Sequence, residues 1–144
     1  QRDSRETAFR VVAEELEFKQ ADVFSSGSFS VLNGRQLGEA AIKQYGDQLP
    51  EGFLIASDTL SVGVLQAFND AGVIVPRDTS IISINNSDIA EYVSPPLSTY
   101  NINQKVISRM ALNILRDAIA NPERPHVHAL VDTNLIMRES FKLK

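Results

Sequence analysis

Four polar residues stand at the ends of two apolar runs, and their types suit hydrogen bonding to a small polar ligand. Ser57-Asp58 follows the run 53–56, and Asn85-Asn86 follows the run 79–84. A carboxylate accepts from hydroxyls, a serine both donates and accepts, and an amide does each through a different atom. Arg5 adds a cation at the start of a helical pattern, with Thr7 beside it. A positive residue there opposes the helix dipole, so Arg5 is locally unfavourable and hints at another task. Phe29 sits between Ser28 and Ser30 in a small, polar loop. An aromatic ring in such a place either plugs a local core or stacks on the apolar C–H face of a sugar.

Other constellations lead away from catalysis. His126 and His128 alternate and share one face of an expected strand, but no third zinc ligand accompanies them. No serine lies in a G-x-S-x-G elbow. Gly34-x-x-x-Gly38 lacks the Lys-Ser/Thr of a phosphate loop and reads as a helix-packing feature. No paired acid and base stand out. The expectation is a binding module that is not an enzyme and uses no cofactor or metal.

The elements that must position these residues follow from periodicity and punctuation. Residues 53–56 fit a buried strand. Ser57-Asp58 then supplies a capping pair, with Asp58 most simply the N-cap, worth about 1 kcal/mol. Leu60, Val64, Ala67, Phe68 and Ala71 recur at helical spacing, Gly72 stops the helix, and Pro76 blocks its resumption. Residues 79–84 form a second strand. Strand, helix and strand imply parallel neighbours joined by a right-handed crossover. Ligands of open α/β sheets sit beyond the carboxyl ends of the strands, where Ser57, Asp58, Asn85 and Asn86 stand.

Around this unit, Asp3 and Glu6 have capping-box spacing. Ala8, Phe9, Val12, Ala13 and Leu16 give one apolar helical face. Val23-Phe24 reads as a short strand, and Ser30 caps a second helix that Gly46 ends. Residues 87–97 read as a loop with one helical turn, and 98–102 as a strand. Residues 104–120 make the longest helix, apolar at Val106, Ile107, Met110, Ile114, Leu115 and Ile119. Residues 127–132 alternate like a strand, and 135–141 read as a closing strand or turn. On the helix 58–71, Val62 and Leu65 project from a second side, which predicts cover on two faces and a homodimer through this helix.

The chain has 144 residues, 43% hydrophobic and 22% charged, enough for one domain with a real core. It has no membrane-length apolar run. It has no cysteine, which suits a cytoplasmic protein. The net charge of −4 and the lack of a basic patch speak against DNA binding by this chain itself.

The runs Ile55-Ala56-Ser57-Asp58, Gly63, Asp70-Ala71-Gly72, Val75-Pro76-Arg77-Asp78 and Ser80-Ile81-Ile82-Ser83-Ile84-Asn85 resemble the effector domain of the lactose/galactose repressor (LacI/GalR) family. Ser94-Pro95-Pro96-Leu97-Ser98-Thr99 and Leu135-Ile136-Met137-Arg138-Glu139-Ser140 continue the resemblance in the same order. It covers nearly the whole chain, and the ordered set is more specific than any piece. It implies an α/β fold: a three-layer, parallel-sheet lobe of the periplasmic-binding-protein-like (type I) fold, incomplete as a fragment. Residues 1–102 would form the C-terminal effector-binding lobe, 103–126 a crossover whose helix belongs to the other lobe, and 127–144 the return. The first strand of this lobe, the other lobe and a DNA-binding head would precede Gln1. Arg5 matches the arginine that grips ligand hydroxyls in the family, Phe29 an aromatic that packs on the effector, and Ser57 a ligand-contacting polar position. Thr7 and Asp58 stand beside them. Asn85 replaces the aspartate that takes two hydroxyls in most members, as it does in some galactoside-type ones. The implied ligand is galactose or a galactoside, the implied assembly a homodimer, and the rival reading a periplasmic sugar-binding protein.

Overall fold

In a computed structural model of the chain, the structure describes residues 3–19, 21–25 and 27–142. Gln1, Arg2 and Ser26, part of the opening and of the 25–30 loop, lie outside the described residues. Four strands form one sheet in the order β1-β2-β3-β4. They are β1 (Gly52–Leu54), β2 (Ser80–Asn85), β3 (Ser98–Asn101) and β4 (Asn134–Ile136). β1, β2 and β3 are parallel, and β4 closes the far edge antiparallel to β3. The parallel β1–β2 pair and its helical crossover are as the strand–helix–strand pattern predicts.

The crossover helix α3 (Asp58–Asp70) begins at Ser57, whose Oγ accepts the Leu60 amide. It ends in a Schellman motif: the Gly72 amide donates to Asn69 O and the Val73 amide to Phe68 O, with Gly72 at φ 76°. That left-handed turn is why glycine stands there. α2 (Val31–Tyr45), capped by Ser30, packs tightly on α3. A Cβ on Gly34 would stand 2.1 Å from Leu60 O, and one on Gly63 2.0 Å from Val31 O. The Gly34/Gly38 pair is therefore a helix-crossing surface, as its spacing suggests. Phe68, Ile81, Leu97, Leu65 and Ala90 centre the core.

Several expectations are corrected. Leu65 is only 3% exposed and Val62 is half-buried, so the second apolar side of α3 is covered by the chain's own core and needs no partner copy. The homodimer argument drawn from that residue lapses. Residues 127–132 form no strand, because they lie against no strand that could pair with them; Leu130 is 96% exposed. His126 and His128 therefore share no strand face. Val23-Phe24 is not a strand either, although Phe24 packs on the core and sets its ring 6.0 Å from that of Tyr45. On α1 (Ser4–Glu15) only Ala13 is buried; Val12 and Leu16 are exposed.

These last two departures share a cause. β1 has an unpaired edge among the described residues, and an apolar slot of about 370 Å³ runs along it. Phe9 of α1, Val23, Phe24, Phe53, Leu54 and Phe68 are among its walls. A strand exists only by pairing, and an apolar helix face is buried only where something fills the space beneath it. α4 (Ile89–Tyr92) is the single turn expected in the 87–97 loop. α5 (Gln104–Ala120) spans the expected helix but has no buried residue, and Met110 and Ile114 are only half-buried.

Candidate functional site

The polar constellation gathers at the carboxyl edge of the parallel strands, where Asp3, Arg5 and Phe29 also line the slot beside β1. Asp3 caps α1 by accepting the Arg5 amide at 2.8 Å, in place of the Glu6 amide that a capping box would use. Its carboxylate then holds the Arg5 guanidinium through Nε at 2.9 Å and Nη2 at 2.7 Å. This pairing offsets the unfavourable dipole position of Arg5. It also holds the Asp3 carboxyl down at about 2, below its ordinary 3.8, and raises the pKa of Arg5. Arg5 Nη1 donates to Ala56 O at 2.9 Å, just beyond β1. The guanidinium lies over the Phe29 ring, 5.0 Å from Cζ to centroid, within cation–π reach. Three of its five N–H groups are used by these bonds, which leaves two for a ligand. Phe29 is 53% exposed and keeps a face open.

Thr7 does not join this group. Its hydroxyl donates to Asp3 O at 3.3 Å within the first turn of α1. Ser57 is almost fully buried, its Oγ occupied by capping.

Asp58 is not the N-cap that its position suggested. Ser57 takes that role, and the Asp58 carboxylate is 0% exposed. Its Oδ1 accepts from Ser83 Oγ at 2.5 Å and from Thr99 Oγ1 at 2.8 Å. Its Oδ2 accepts from the Ser87 amide at 2.7 Å and Ser87 Oγ at 2.9 Å. A buried carboxylate is tolerable only when so satisfied. It stitches the start of α3 to β2, β3 and the 85–87 turn. The hydroxyl of Ser83 inside the apolar run of β2 was the available sequence signal for this role.

Asn85 ends β2 at φ 118°, and Asn86 follows at φ 54°. Among the described residues the Asn85 amide side chain has no hydrogen-bond partner. Two residues that sequence reasoning did not single out complete the surroundings. Ser140, fully buried, donates to Ile81 O and accepts the Ser98 amide, fastening the C-terminal segment to β2 and β3. Arg138 reaches Asn86, Leu97 and Glu91 at once. Among the described residues no group of three His, Cys, Asp or Glu side chains could hold a metal ion, and no helix is long and apolar enough to cross a membrane.

Residues 1–141 match the family described as "Periplasmic binding protein-like domain". The HTH-type transcriptional regulator LacR of Lactobacillus helveticus is 55% identical over 115 residues, 80% of this chain and 34% of that protein. The chain belongs to the lactose/galactose repressor (LacI/GalR) family. The HTH-type transcriptional regulator GanR of Bacillus subtilis (strain 168) is 40% identical over 140 residues, 96% of this chain and 42% of that protein. This member of the family thus spans about a third to two-fifths of the length of these curated relatives. The relatives are regulators, not enzymes. In structure, the chain resembles a LacI family transcriptional regulator from Arthrobacter sp. FB24 in complex with lactose, with TM-score 0.84 at 22% identity. That match covers 98% of this chain and 52% of the other. It also resembles the CelR–cellobiose complex, with TM-score 0.86 at 23% identity, over 95% of this chain and 42% of the other. At these identities the likeness speaks for the fold alone.

Proposed function

We propose that this LacI/GalR-family chain is one lobe of a sugar-sensing domain that controls DNA binding by a head elsewhere in the full-length protein. The observation that carries the reading is the Arg5–Phe29 stack at the carboxyl edge of the sheet, with two guanidinium N–H groups and an open ring face uncommitted. The free Asn85 amide stands on the neighbouring strand at the same edge. An aromatic face, a cation and an amide are the groups that recognise a polyhydroxylated ring. Galactose or a galactoside is the preferred ligand, and lactose is the sugar bound by the Arthrobacter neighbour. Arg5, Phe29 and Asn85 touch the ligand, Ser57 and Thr7 border it, and Asp58 braces the edge from beneath. Binding acts without chemistry, by favouring one arrangement of two lobes over another. The relatives' HTH-type names support the DNA partner. A cytoplasmic location and a homodimer belong to the same reading, the dimer using a surface other than Leu65.

The lobe boundaries follow from the same picture. Residues 1–102 and 127–144 form this lobe, and 103–126 with α5 pack on the other. α5 carries seven large apolar side chains and buries none of them here. The slot beside β1 takes the strand that the resemblance places before Gln1: it is apolar, borders an unpaired edge, and lies beneath the half-covered face of α1.

Calorimetric titration of galactose, lactose and cellobiose into the full-length protein tests the reading, with release of its DNA as the second readout. Sub-millimolar binding of at least one, coupled to a change in DNA affinity, is expected. Absence of heat with all three overturns it.

A further inference from the structure

A non-glycine residue at a φ near that of Asn85 persists only where its surroundings over-determine it, and such positions concentrate at ligand sites. The surroundings here grip its neighbours. Asp58 Oδ2 takes the Ser87 amide and hydroxyl. Thr99 Oγ1 accepts the Asn86 amide at 3.2 Å, and Asn101 Oδ1 accepts Asn86 Nδ2 at 3.3 Å. The remaining hold comes from the far end of the chain. Arg138 Nη2 donates to Asn86 Oδ1 at 2.9 Å and to Glu91 Oε1 at 2.8 Å, while Nη1 donates to Leu97 O at 2.9 Å. The Arg138 side chain is 14% exposed, and its backbone is fixed by exchange with Ser98 Oγ. Asn86 is thus held at both ends of its amide, and Asn85 is left with its own amide free among the described residues.

We infer that Arg138 is a positioning residue for ligand selectivity: by anchoring Asn86 it sets where the Asn85 amide sits at the sheet edge. The inference rests on the reading of Asn85 as a ligand contact. Only a planar guanidinium reaches a carbonyl, an amide oxygen and a carboxylate together; lysine has one point of charge. A rigidly placed amide discriminates between hydroxyl configurations, because a misplaced hydroxyl leaves a polar group unpaired. A loosely held amide adapts to either.

Lactose and cellobiose are suitable probes, since they differ in the configuration of a single hydroxyl. Affinities for both are measured by calorimetry on the full-length protein and its Arg138→Lys, Asn86→Ala, doubly substituted and Asn85→Ala forms, with melting temperatures alongside. Arg138→Lys and Asn86→Ala are each expected to shrink the lactose/cellobiose ratio about tenfold, the worth of roughly one hydrogen bond. The double variant is expected to lose no more than either single one. A melting temperature that falls while the ratio holds makes Arg138 merely structural and overturns the inference. Should Arg138→Lys fail to fold, an unchanged ratio in Asn86→Ala overturns it equally. Wild-type affinity in Asn85→Ala, or no binding of either sugar to the parent, sinks the site reading itself and this inference with it.

Discussion

The guanidinium of Arg5 lies over the ring of Phe29, 5.0 Å from Cζ to centroid, although the rest of α1 separates the two in the chain. Asp3 fixes the arginine edge-on, and Ala56 O ties it to the end of β1. The pair is therefore assembled before any ligand arrives. Arg5→Ala in the full-length protein is expected to abolish the effector response and leave DNA binding intact. The sugar affinity should fall roughly 10- to 100-fold, the range of a lost charge-assisted hydrogen bond. Arg5→Lys should not restore it, because an ammonium cannot hold Asp3 side-on and Ala56 O together. Unchanged induction in a reporter assay would reduce Arg5 to a surface residue.

The Asp3–Arg5 pair sets a pH range. The Asp3 carboxyl sits at about 2, lowered chiefly by its hydrogen bond to the Arg5 side chain. A depressed carboxylate pKa contributes stability that is present above the unfolded value, near 3.8, and is lost as pH falls through about 2. Sugar affinity should accordingly show no titration from Asp3 between pH 5 and pH 8. A carboxyl resonance for Asp3 that titrates above pH 4 in NMR would contradict the pairing.

Asp58→Asn should destabilise the domain by about 2–5 kcal/mol, because four donors converge on a fully buried carboxylate and an amide nitrogen would face some of them. Urea unfolding followed by circular dichroism measures this. A change under 1 kcal/mol would mean that the network repacks around an amide.

Gly34→Ala should cost about 1–3 kcal/mol through overpacking, since the new methyl meets the backbone of Leu60 rather than a yielding side chain. Gly27→Ala is the matched control: nothing lies within 4 Å of its would-be Cβ. Equal unfolding midpoints for the two variants would refute the close crossing of α2 and α3.

On the proposed two-lobe reading, the chain on its own should bind galactose and lactose weakly, since one wall of a cleft makes only part of the contacts. It should also self-associate through α5, where Ile107, Leu112, Leu115 and Ile119 are exposed. Burying its large apolar side chains would be worth on the order of 10 kcal/mol. Sub-millimolar sugar binding by the chain alone, or a strictly monomeric mass in light scattering at high concentration, would each count against the two-lobe reading.

What the sequence determined by itself was local. Ser30 as a cap, a capping residue in the pair Ser57-Asp58, Gly46 and Gly72 as stops, the span of α5 and the parallel strand–helix–strand unit all rest on contacts within a few residues or on periodicity. The family was legible in the ordered motifs for the same reason. The tertiary structure decided what depends on distant partners. Asp58 turned inward because Ser83, Ser87 and Thr99, far along the chain, supply its donors. Leu65 went to the core because the chain itself covers the second side of α3; helical spacing shows that such a face is covered but not by what. Residues 127–132 alternate like a strand but pair with no other segment, and Val23-Phe24 lacks a pairing partner along the slot. A strand, unlike a helix, satisfies its backbone only through another segment, so its existence is never a property of its own residues.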